Sequence, residues 1–167
     1  MTEPKSRRVP ADWSFAALHA AGAQSISEVR EGDKVVALEV RPPVTDAAYN
    51  AAASAVVRAG LVAYAADRRW QIETGGINFA GIPVATDDRA KIMIMGARVA
   101  AAADPGWETV WHGTDGKTYP LTAVSMIAIS SAVEAHVNAT FATFAAVKAD
   151  VDAGKITTVA EIDALFG

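Results

Sequence analysis

The side chains that perform most enzyme chemistry are few and scattered in this sequence. Its 167 residues include three histidines, His19, His112 and His136, and none lies within metal-ligand spacing of another. Cysteine is absent, which excludes disulfides, thiolate metal sites and a cysteine nucleophile. Neither the Gly-x-Ser-x-Gly pattern of a nucleophile elbow nor a phosphate-binding loop occurs. The sequence therefore predicts no catalytic, metal-binding or cofactor-binding residue.

Asp87 and Asp88 are the nearest approach to a paired-carboxylate site. They follow Thr86 at the start of a run with helical periodicity, where acidic residues cap a helix and interact favourably with its dipole for roughly 0.5–2 kcal/mol. Helix capping is therefore the favoured interpretation of both residues. His136 lies beside the apolar stripe of the longest predicted helix, so we interpret it as structural.

Three aromatic residues, Trp107, Trp111 and Tyr119, surround one predicted hairpin. Exposed together, such rings would hold a sugar or a partner protein, whereas buried rings would anchor the hairpin on a helix. Burial is the favoured interpretation. These three residues are nevertheless the candidate partner-binding site of the sequence.

The composition is that of an acidic globular protein. Hydrophobic residues make up 51% of the chain and charged residues 20%, which is too apolar for general disorder. The net charge of −4 argues against a nucleic-acid partner, and the one short basic cluster, Lys5–Arg8, is interpreted as a frayed terminus. No apolar run reaches the roughly 18–20 residues of a membrane span. The first residues do not resemble a secretory signal, so we expect folding in a cytoplasm.

Hydrophobic periodicity and turn residues predict an α+β fold. A loose leader through Ala11 precedes a short helix capped by Asp12, and helices then alternate with glycine-bearing hairpins. The expected architecture is a long-helix core, arranged as a helical hairpin or bundle, with two or three small antiparallel β-hairpins. The later predicted helices cover residues 46–70, 87–103, 121–151 and 158–166, and the hairpins cover residues 25–40, 77–84 and 109–119. Thr45 is the predicted cap of the first of these helices, and Thr158 and Glu161 form a predicted capping box at the last. The helix over residues 87–103 carries Ile92, Met95 and Val99 at helical spacing.

The pair Pro42 and Pro43 marks the one predicted joint, because paired prolines end strands. It separates residues 1–43, a helix plus β-hairpin unit, from residues 44–167, a mainly helical domain. Gly60 within the second predicted helix is interpreted as a point of close helix approach, with a kink as the alternative.

The longest predicted helix carries apolar residues at every third or fourth position from Met126 to Val151. Such a stripe predicts packing along another helix. That helix would belong either to the same chain or to a second copy, so a homo-oligomer is one of two expectations.

One segment is more specific than periodicity. Residues 68–89, RRWQIETGGINFAGIPVATDDR, resemble the signature of a domain family of unknown function found in tailed bacteriophages and prophages, commonly encoded beside tail-fibre and baseplate genes. The resemblance runs from about Tyr64 to the end of the chain, although the acidic, Trp-bearing tail of many members is missing and the first 43 residues match no known part of the family. Later matches keep the family's order at Gly96–Arg98, Ala103–Pro105, Trp111–Gly116 and Ala135–Val137.

The resemblance implies a structural phage-tail protein that binds other proteins of the tail fibre or baseplate and has no enzymatic activity. It implies a location in the tail of the virion, and in the host cytoplasm during assembly. One alternative is a tail-fibre assembly chaperone that leaves before the virion is complete. A further alternative is a module that binds host glycans through Trp107, Trp111 and Tyr119. A hydrolase is the least favoured class, because it requires a cleft with a strongly perturbed carboxylate pair.

Overall fold

The computed structural model of the protein describes residues 6–167, and the chain divides into two compact units. The first unit ends at Leu61 and the second is Val62–Gly167. The helices are α1 (Phe15–Ala20), α2 (Asp46–Thr74), α3 (Asp88–Ala103), α4 (Ala123–Asp152) and α5 (Val159–Phe166). The strands are β1 (Arg7–Pro10), β2 (Ser25–Glu31), β3 (Lys34–Arg41), β4 (Ile77–Phe79), β5 (Ile82–Val84), β6 (Glu108–His112) and β7 (Thr118–Thr122).

The first unit is built on a three-stranded antiparallel sheet with the order β1-β3-β2. The predicted hairpin is confirmed as β2 and β3, joined by a turn in which Gly32 has a φ of 63° that favours glycine. Leu38 and Val40 are two residues apart and therefore lie on the same face of β3. They pack with Leu18 and Val44 in one buried cluster.

The prediction of a loose leader through Ala11 is wrong for its described part. Residues Arg7–Pro10 pair with β3 as strand β1, and the Val9 side chain is only 3% exposed. Arg7 also forms an ion pair with Asp46 at 3.0 Å, so this basic residue does not belong to a frayed terminus. Lys5 and the residues before it lie outside the described residues.

The first helix is capped by Ser14, whereas the sequence predicted Asp12. The Ser14 hydroxyl oxygen accepts the N–H of Ala17 at 3.4 Å. Trp13 stacks on Tyr49 with ring centroids 3.7 Å apart, and the Ser14 N–H donates to the Tyr49 hydroxyl at 2.8 Å. These contacts fix the chain just before α1, so Asp12 lies outside the helix.

The helix α2 continues for 29 residues. Its predicted cap is confirmed, because the Thr45 hydroxyl oxygen accepts the N–H of Ala48 at 3.1 Å. The helix passes the predicted end at Trp70 by one turn, and in that last turn the Glu73 carbonyl accepts a 2.5 Å hydrogen bond from the Thr86 hydroxyl. It is continuous through Gly60, where a Cβ atom would meet nothing within 4 Å, so the predicted close helix approach is not made among the described residues.

The second unit centres on α3 packed against α4. Ile94 and Ala101 from α3 meet Met126, Ile129 and Val133 from α4 in one buried cluster. The hairpins β4–β5 and β6–β7 pack against the same cluster through partly buried side chains, which include Ile77, Phe79, Ile82 and Trp111.

The predicted stripe on α4 is buried over most of its length. Val147 and Val151 are buried, whereas Phe141 is 49% exposed. The short last helix begins with the predicted capping box, in which the Thr158 hydroxyl oxygen accepts the N–H of Glu161 and the Glu161 carboxylate accepts the N–H of Thr158.

The α+β fold class is confirmed, with five helices and three small antiparallel sheets in residues 6–167. The division between the compact units falls inside α2, after Leu61. The sequence placed a domain boundary between residues 43 and 44, and that boundary stays a prediction. Over the described residues, none of the helices combines the length and apolar character that a membrane crossing requires.

Candidate functional site

The signature segment places a buried carboxylate at the end of α2. Glu73 is 5% exposed and forms ion pairs with Arg69, one helical turn earlier, and with Lys91 in the first turns of α3. The Lys91 Nζ atom lies 2.6 Å from Glu73 Oε1 and 3.2 Å from Asp88 Oδ1. Burying an isolated ion costs several kcal/mol, so Glu73 requires these partners.

The same contacts keep Lys91 cationic. Its hydrogen bond to Glu73 raises the pKa of Lys91, and this effect exceeds the opposing effect of partial burial. An amine that holds its proton in this way cannot act as a general base near neutral pH. Lys91 is therefore a structural partner of Glu73.

Thr86 connects the end of α2 to the start of α3. Its buried hydroxyl donates to the Glu73 carbonyl at 2.5 Å and accepts the N–H of Gly76 at 2.9 Å. The next residue, Asp87, caps α3 by accepting the N–H of Ala90 at 2.9 Å. The capping interpretation of Asp87 thus agrees with its position, and its carboxylate is already engaged.

Aromatic rings and a histidine enclose this network. The Arg69 guanidinium lies 4.3 Å from the centroid of the Phe141 ring, and the Lys91 ammonium lies 5.6 Å from that of Trp70. His136 Nε2 is 3.0 Å from the carbonyl oxygen of Ile72, and it must carry a hydrogen because a carbonyl only accepts. These contacts join the end of α2 to α3 and α4.

A second feature is a groove between α3 and β6. Trp107 and Trp111 are half-buried and line this groove of ≈ 430 Å³ together with Met93, Gly96 and Val110. Both indole rings also pack against the buried cluster of the second unit. The structure thus brings two of the three predicted aromatic residues to one surface while using them to hold the hairpin in place.

Tyr119 is not among the residues that line the groove. Its ring lies over Gly113, with Cε2 2.8 Å from the position that a Cβ atom would take there. The Tyr119 hydroxyl donates to Asp115 Oδ2 at 2.8 Å, and this hydrogen bond raises the pKa of Tyr119. Tyr119 therefore closes the turn of its own hairpin.

The helix α3 is apolar on two opposite sides. One side, with Ala90, Ile94 and Ala101, is buried. At 100° per residue, Ile92, Met95, Gly96 and Val99 point away from it, whereas Met93 lies at its flank beside the groove, and the large side chains among them are open to solvent. We call this second side the α3 face, and it consists of Ile92 (65% exposed), Met93 (53%), Met95 (61%), Gly96 and Val99 (67%).

The α3 face continues onto the β6–β7 hairpin. Val110, which is 60% exposed, lines the same groove as Met93 and Gly96. A surface helix of a globular protein normally carries polar residues opposite its buried side, and single exposed apolar residues are common. A contiguous apolar set on one helix and one strand is instead a candidate interaction surface.

The sequence identified three residues of this face without showing which way they point. Ile92, Met95 and Val99 are apolar at helical spacing, which is equally typical of a core stripe. The available signal was the second stripe at Ala90, Ile94 and Ala101. Two opposite apolar stripes on one helix cannot both face the core of a small unit, so one of them had to be exposed.

Among residues 6–167, no group of three or more His, Asp or Glu side chains is placed to hold a metal ion. His19 is engaged by a contact of 2.9 Å between its Nδ1 atom and the Ala23 carbonyl oxygen. His112 lines the edge of the groove beside Trp111. The structure therefore does not bring the three histidines together.

A family model described as "Domain of unknown function (DUF4376)" matches residues 56–165, which is more than half of the chain. The protein belongs to this family. The DUF4376 match contains the whole signature segment, the α3 face and the groove, and it excludes the three-stranded sheet of the first unit. No curated protein and no solved structure matches the chain.

Proposed function

We propose that this protein is a structural component of a bacteriophage tail, associated with the tail fibre or baseplate, that acts by binding other proteins. The observation that supports a binding role is the α3 face, where four large apolar side chains are each more than half exposed. The phage setting rests on the resemblance of residues 68–89 to the signature of a phage-tail family.

A non-enzymatic role is part of the proposal. Glu73 in the signature segment and Lys91, two residues after it, are each held by partners of opposite charge. His136 is held against a backbone carbonyl. These side chains have a sufficient explanation in folding, whereas the α3 face has none, and this contrast favours binding over catalysis.

The expected partners are other tail proteins, and the expected location is the virion tail after assembly in the host cytoplasm. Glycan recognition has weaker support. A sugar site formed by Trp107, Trp111 and Tyr119 would need the three rings on one surface, and Tyr119 does not line the groove.

The deciding experiment is quantitative mass spectrometry of purified phage particles from a strain that carries the gene, measured against a known tail protein. We expect the protein in fixed stoichiometry with that reference. Absence from particles, combined with co-purification on the fibre protein from lysates, would overturn the structural role and establish an assembly chaperone.

A pair of variants assigns the binding role to the α3 face. Val99→Asp places a charge in the centre of the face, and we expect incorporation into particles to fall about tenfold or more, as a charge buried in an interface costs over 1.4 kcal/mol. Val124→Asp is the matched control, because Val124 is 77% exposed on α4 and is not part of the face. Equal incorporation of both variants would exclude the α3 face as the site.

A further inference from the structure

The strand β6 has one free edge. It belongs to a two-stranded sheet in which β7 is its only hydrogen-bonded neighbour among the described residues. In an antiparallel pair, the N–H and C=O groups of successive residues point alternately towards the partner strand and away from it. The groups that point away are unpaired donors and acceptors, and such an edge is a template for pairing with another chain.

Two observations show which residues of β6 point outward. The Gly113 N–H donates to the Lys117 carbonyl at 2.9 Å, so this pair occupies a hydrogen-bonded position at the end of the hairpin. Val110 pairs with Pro120, which has no N–H and therefore fits a position whose backbone groups face away from the partner strand. The two observations agree, because Val110 and Gly113 are three positions apart. The outward N–H and C=O groups are those of Glu108, Val110 and His112.

The edge of β6 lacks the features that protect two other strand edges. At the opposite edge of the hairpin, Pro120 places a residue without an N–H in the middle of β7. The edge strand β2 of the first unit has a bulge between Val29 and Arg30 and carries charged side chains, and both features discourage pairing. No backbone hydrogen bond from outside the hairpin reaches the outward groups of β6 within residues 6–167.

The groove between α3 and β6 follows this edge. On the β6 side it is lined by four consecutive residues, Thr109–His112, whose side chains alternate between the two faces of the hairpin. A groove over one face would be lined by every second residue, so this groove runs along the edge itself. Its opposite wall includes Gly96, where a Cβ atom would meet nothing within 4 Å. The volume of ≈ 430 Å³ is in the range of binding pockets.

One end of the groove is acidic. Trp107 lines the groove, and its N–H donates to the carbonyl of Asp104 at the end of α3. Glu108 follows at the start of β6, where the outward backbone groups begin. Neither the Asp104 nor the Glu108 carboxylate takes part in an ion pair formed within residues 6–167. A cation on a bound segment would therefore meet two negative charges beside the free edge.

We propose that β6 binds an extended segment of a partner protein, which adds a third strand to the β6–β7 sheet and lies in the groove. Main-chain hydrogen bonds to the outward groups supply affinity. The segment has an apolar residue at every second position, because alternate side chains point towards Trp107 and Trp111, and it carries a lysine or arginine beside Glu108. The inference rests on the proposed binding role and specifies the form of the partner, but it does not require the phage setting.

Amide hydrogen exchange of the full chain, followed by NMR, tests the added strand. The probe is a synthetic peptide with blocked ends, Lys-Thr-Val-Thr-Val-Thr-Lys, whose two lysines allow either chain direction. In the free protein, the amides of Val110 and His112 should exchange fast and those of Thr109 and Trp111 slowly. The peptide should slow exchange of the first pair about tenfold or more.

Two results of this experiment would overturn the inference. One is that the peptide protects no amide of β6. The other is that Val110 and His112 are already protected without peptide and lose that protection on dilution, which would mean that a second copy occupies the edge.

Val110→Pro removes one outward N–H without removing a hydrogen bond between β6 and β7. The melting temperature should stay close to that of the wild type, whereas the dissociation constant of the peptide should increase about tenfold or more. Val110→Thr is the matched control, because it keeps the N–H and a β-branched side chain, and its affinity should stay within about threefold of wild type. Equal affinities of the two variants would refute strand addition.

Methylated peptides make the same test without changing the protein. Two versions of the probe carry methyl groups on alternate backbone nitrogens, in the two possible registers. Only the version that leaves the nitrogens facing β6 unmethylated should still bind. Equal binding of both versions would show that main-chain hydrogen bonds do not hold the segment.

Charge exchange tests the acidic end of the groove. Glu108→Lys is expected to weaken binding of the probe several-fold and to favour the same peptide with glutamate in place of lysine. Glu134→Lys, at an exposed position in the middle of α4, makes the same change in net charge and should leave both affinities unchanged. Equal effects of the two variants would exclude a cation beside Glu108.

Failure of this inference can be told apart from failure of the proposed function. A protein that binds the probe along β6 but is absent from phage particles would refute the phage-tail role and retain the strand addition. A component of particles whose β6 amides stay unprotected by the probe would do the reverse.

Discussion

The ammonium of Lys91 donates a 2.6 Å hydrogen bond to the buried carboxylate of Glu73, joining the first turns of α3 to the last turn of α2. The two residues are 18 positions apart, and the β4–β5 hairpin lies between them. Arg69 supplies a second positive charge to the same carboxylate. The start of the helix that carries the exposed α3 face is thus fixed by an ion-pair network and not only by apolar packing.

Removing the carboxylate should destabilise the second unit. Glu73→Gln takes away the negative charge that holds Arg69 and Lys91, and a hydrogen bond to a charged group contributes about 1.5–3 kcal/mol. We expect a loss of about 2 kcal/mol in the free energy of unfolding by urea. Asp88→Asn is the control, because Asp88 also pairs with Lys91 but its side chain is 72% exposed, and its loss should stay below about 1 kcal/mol. Equal losses would mean that burial of Glu73 is not what gives the network its strength.

The capping box of α5 should make stability depend on pH in the acid range. The pKa of Glu161 is lowered by the backbone N–H of Thr157 and further by the hydroxyl and N–H of Thr158. A lowered carboxylate pKa gives stability that is present above the unfolded-state value, about 4.3, and is lost as pH falls through the folded value. At neutral pH the melting temperature of the wild type should therefore be higher than that of Glu161→Gln. The two melting temperatures should converge as the pH falls into the acid range.

The control for that titration is Glu134→Gln, which removes an exposed acid from the middle of α4. Its melting temperature should follow the wild type at every pH. A Glu161→Gln variant that keeps the full acid dependence would show that other carboxylates are responsible.

The described start of the chain should be part of the folded first unit. Val9→Ala removes two methyl groups from a side chain that is 3% exposed, and such a deletion costs about 1–3 kcal/mol. Arg8→Ala changes the adjacent exposed residue of the same strand and should alter stability by no more than about 0.5 kcal/mol. Thermal denaturation followed by circular dichroism measures both, and a Val9→Ala variant as stable as wild type would argue that β1 does not contribute to the sheet.

Gly113 should tolerate no side chain. A Cβ atom at this position would lie 2.7 Å from Asp115 Oδ1 and 2.8 Å from Tyr119 Cε2, so these two side chains would have to move and their hydrogen bond would be disturbed. We expect Gly113→Ala to cost about 1–3 kcal/mol, the usual range for an overpacked site. Thr114→Ala, at the next residue, should be nearly neutral. Urea unfolding followed by tryptophan fluorescence reports on both, since Trp111 lies in the same hairpin.

The elements with local signals were predictable from the sequence. Helix caps at Thr45, Asp87 and Thr158 and turns at glycine identified most helices and hairpins, because each of these signals acts within a few residues. Strand β1 has no such signal. Its four residues are fixed by pairing with β3, about 30 positions later, and nothing local favours a strand that contains two arginines and a proline.

The candidate site was predictable only in part. Trp107 and Trp111 are close in sequence and reach one groove. Tyr119 pairs with Trp111 across the hairpin, but its ring lies over Gly113 and its hydroxyl donates to Asp115. Residue spacing alone does not encode these contacts at the turn. The exposure of Ile92, Met95 and Val99 depends on which stripe of α3 meets α4, and that choice is made by tertiary packing.

The arrangement of residues 68–89 affects how relatives of this chain should be compared. Glu73 and Thr86 of this segment are engaged with Arg69, Gly76 and the nearby Lys91, so a search that relies on the segment retrieves chains able to close the same network, whatever those chains bind. Two such relatives can differ completely at Ile92, Gly96 and Val99 and still be placed together. Under the proposed function, grouping relatives by the identity of these solvent-facing positions would instead sort them by partner.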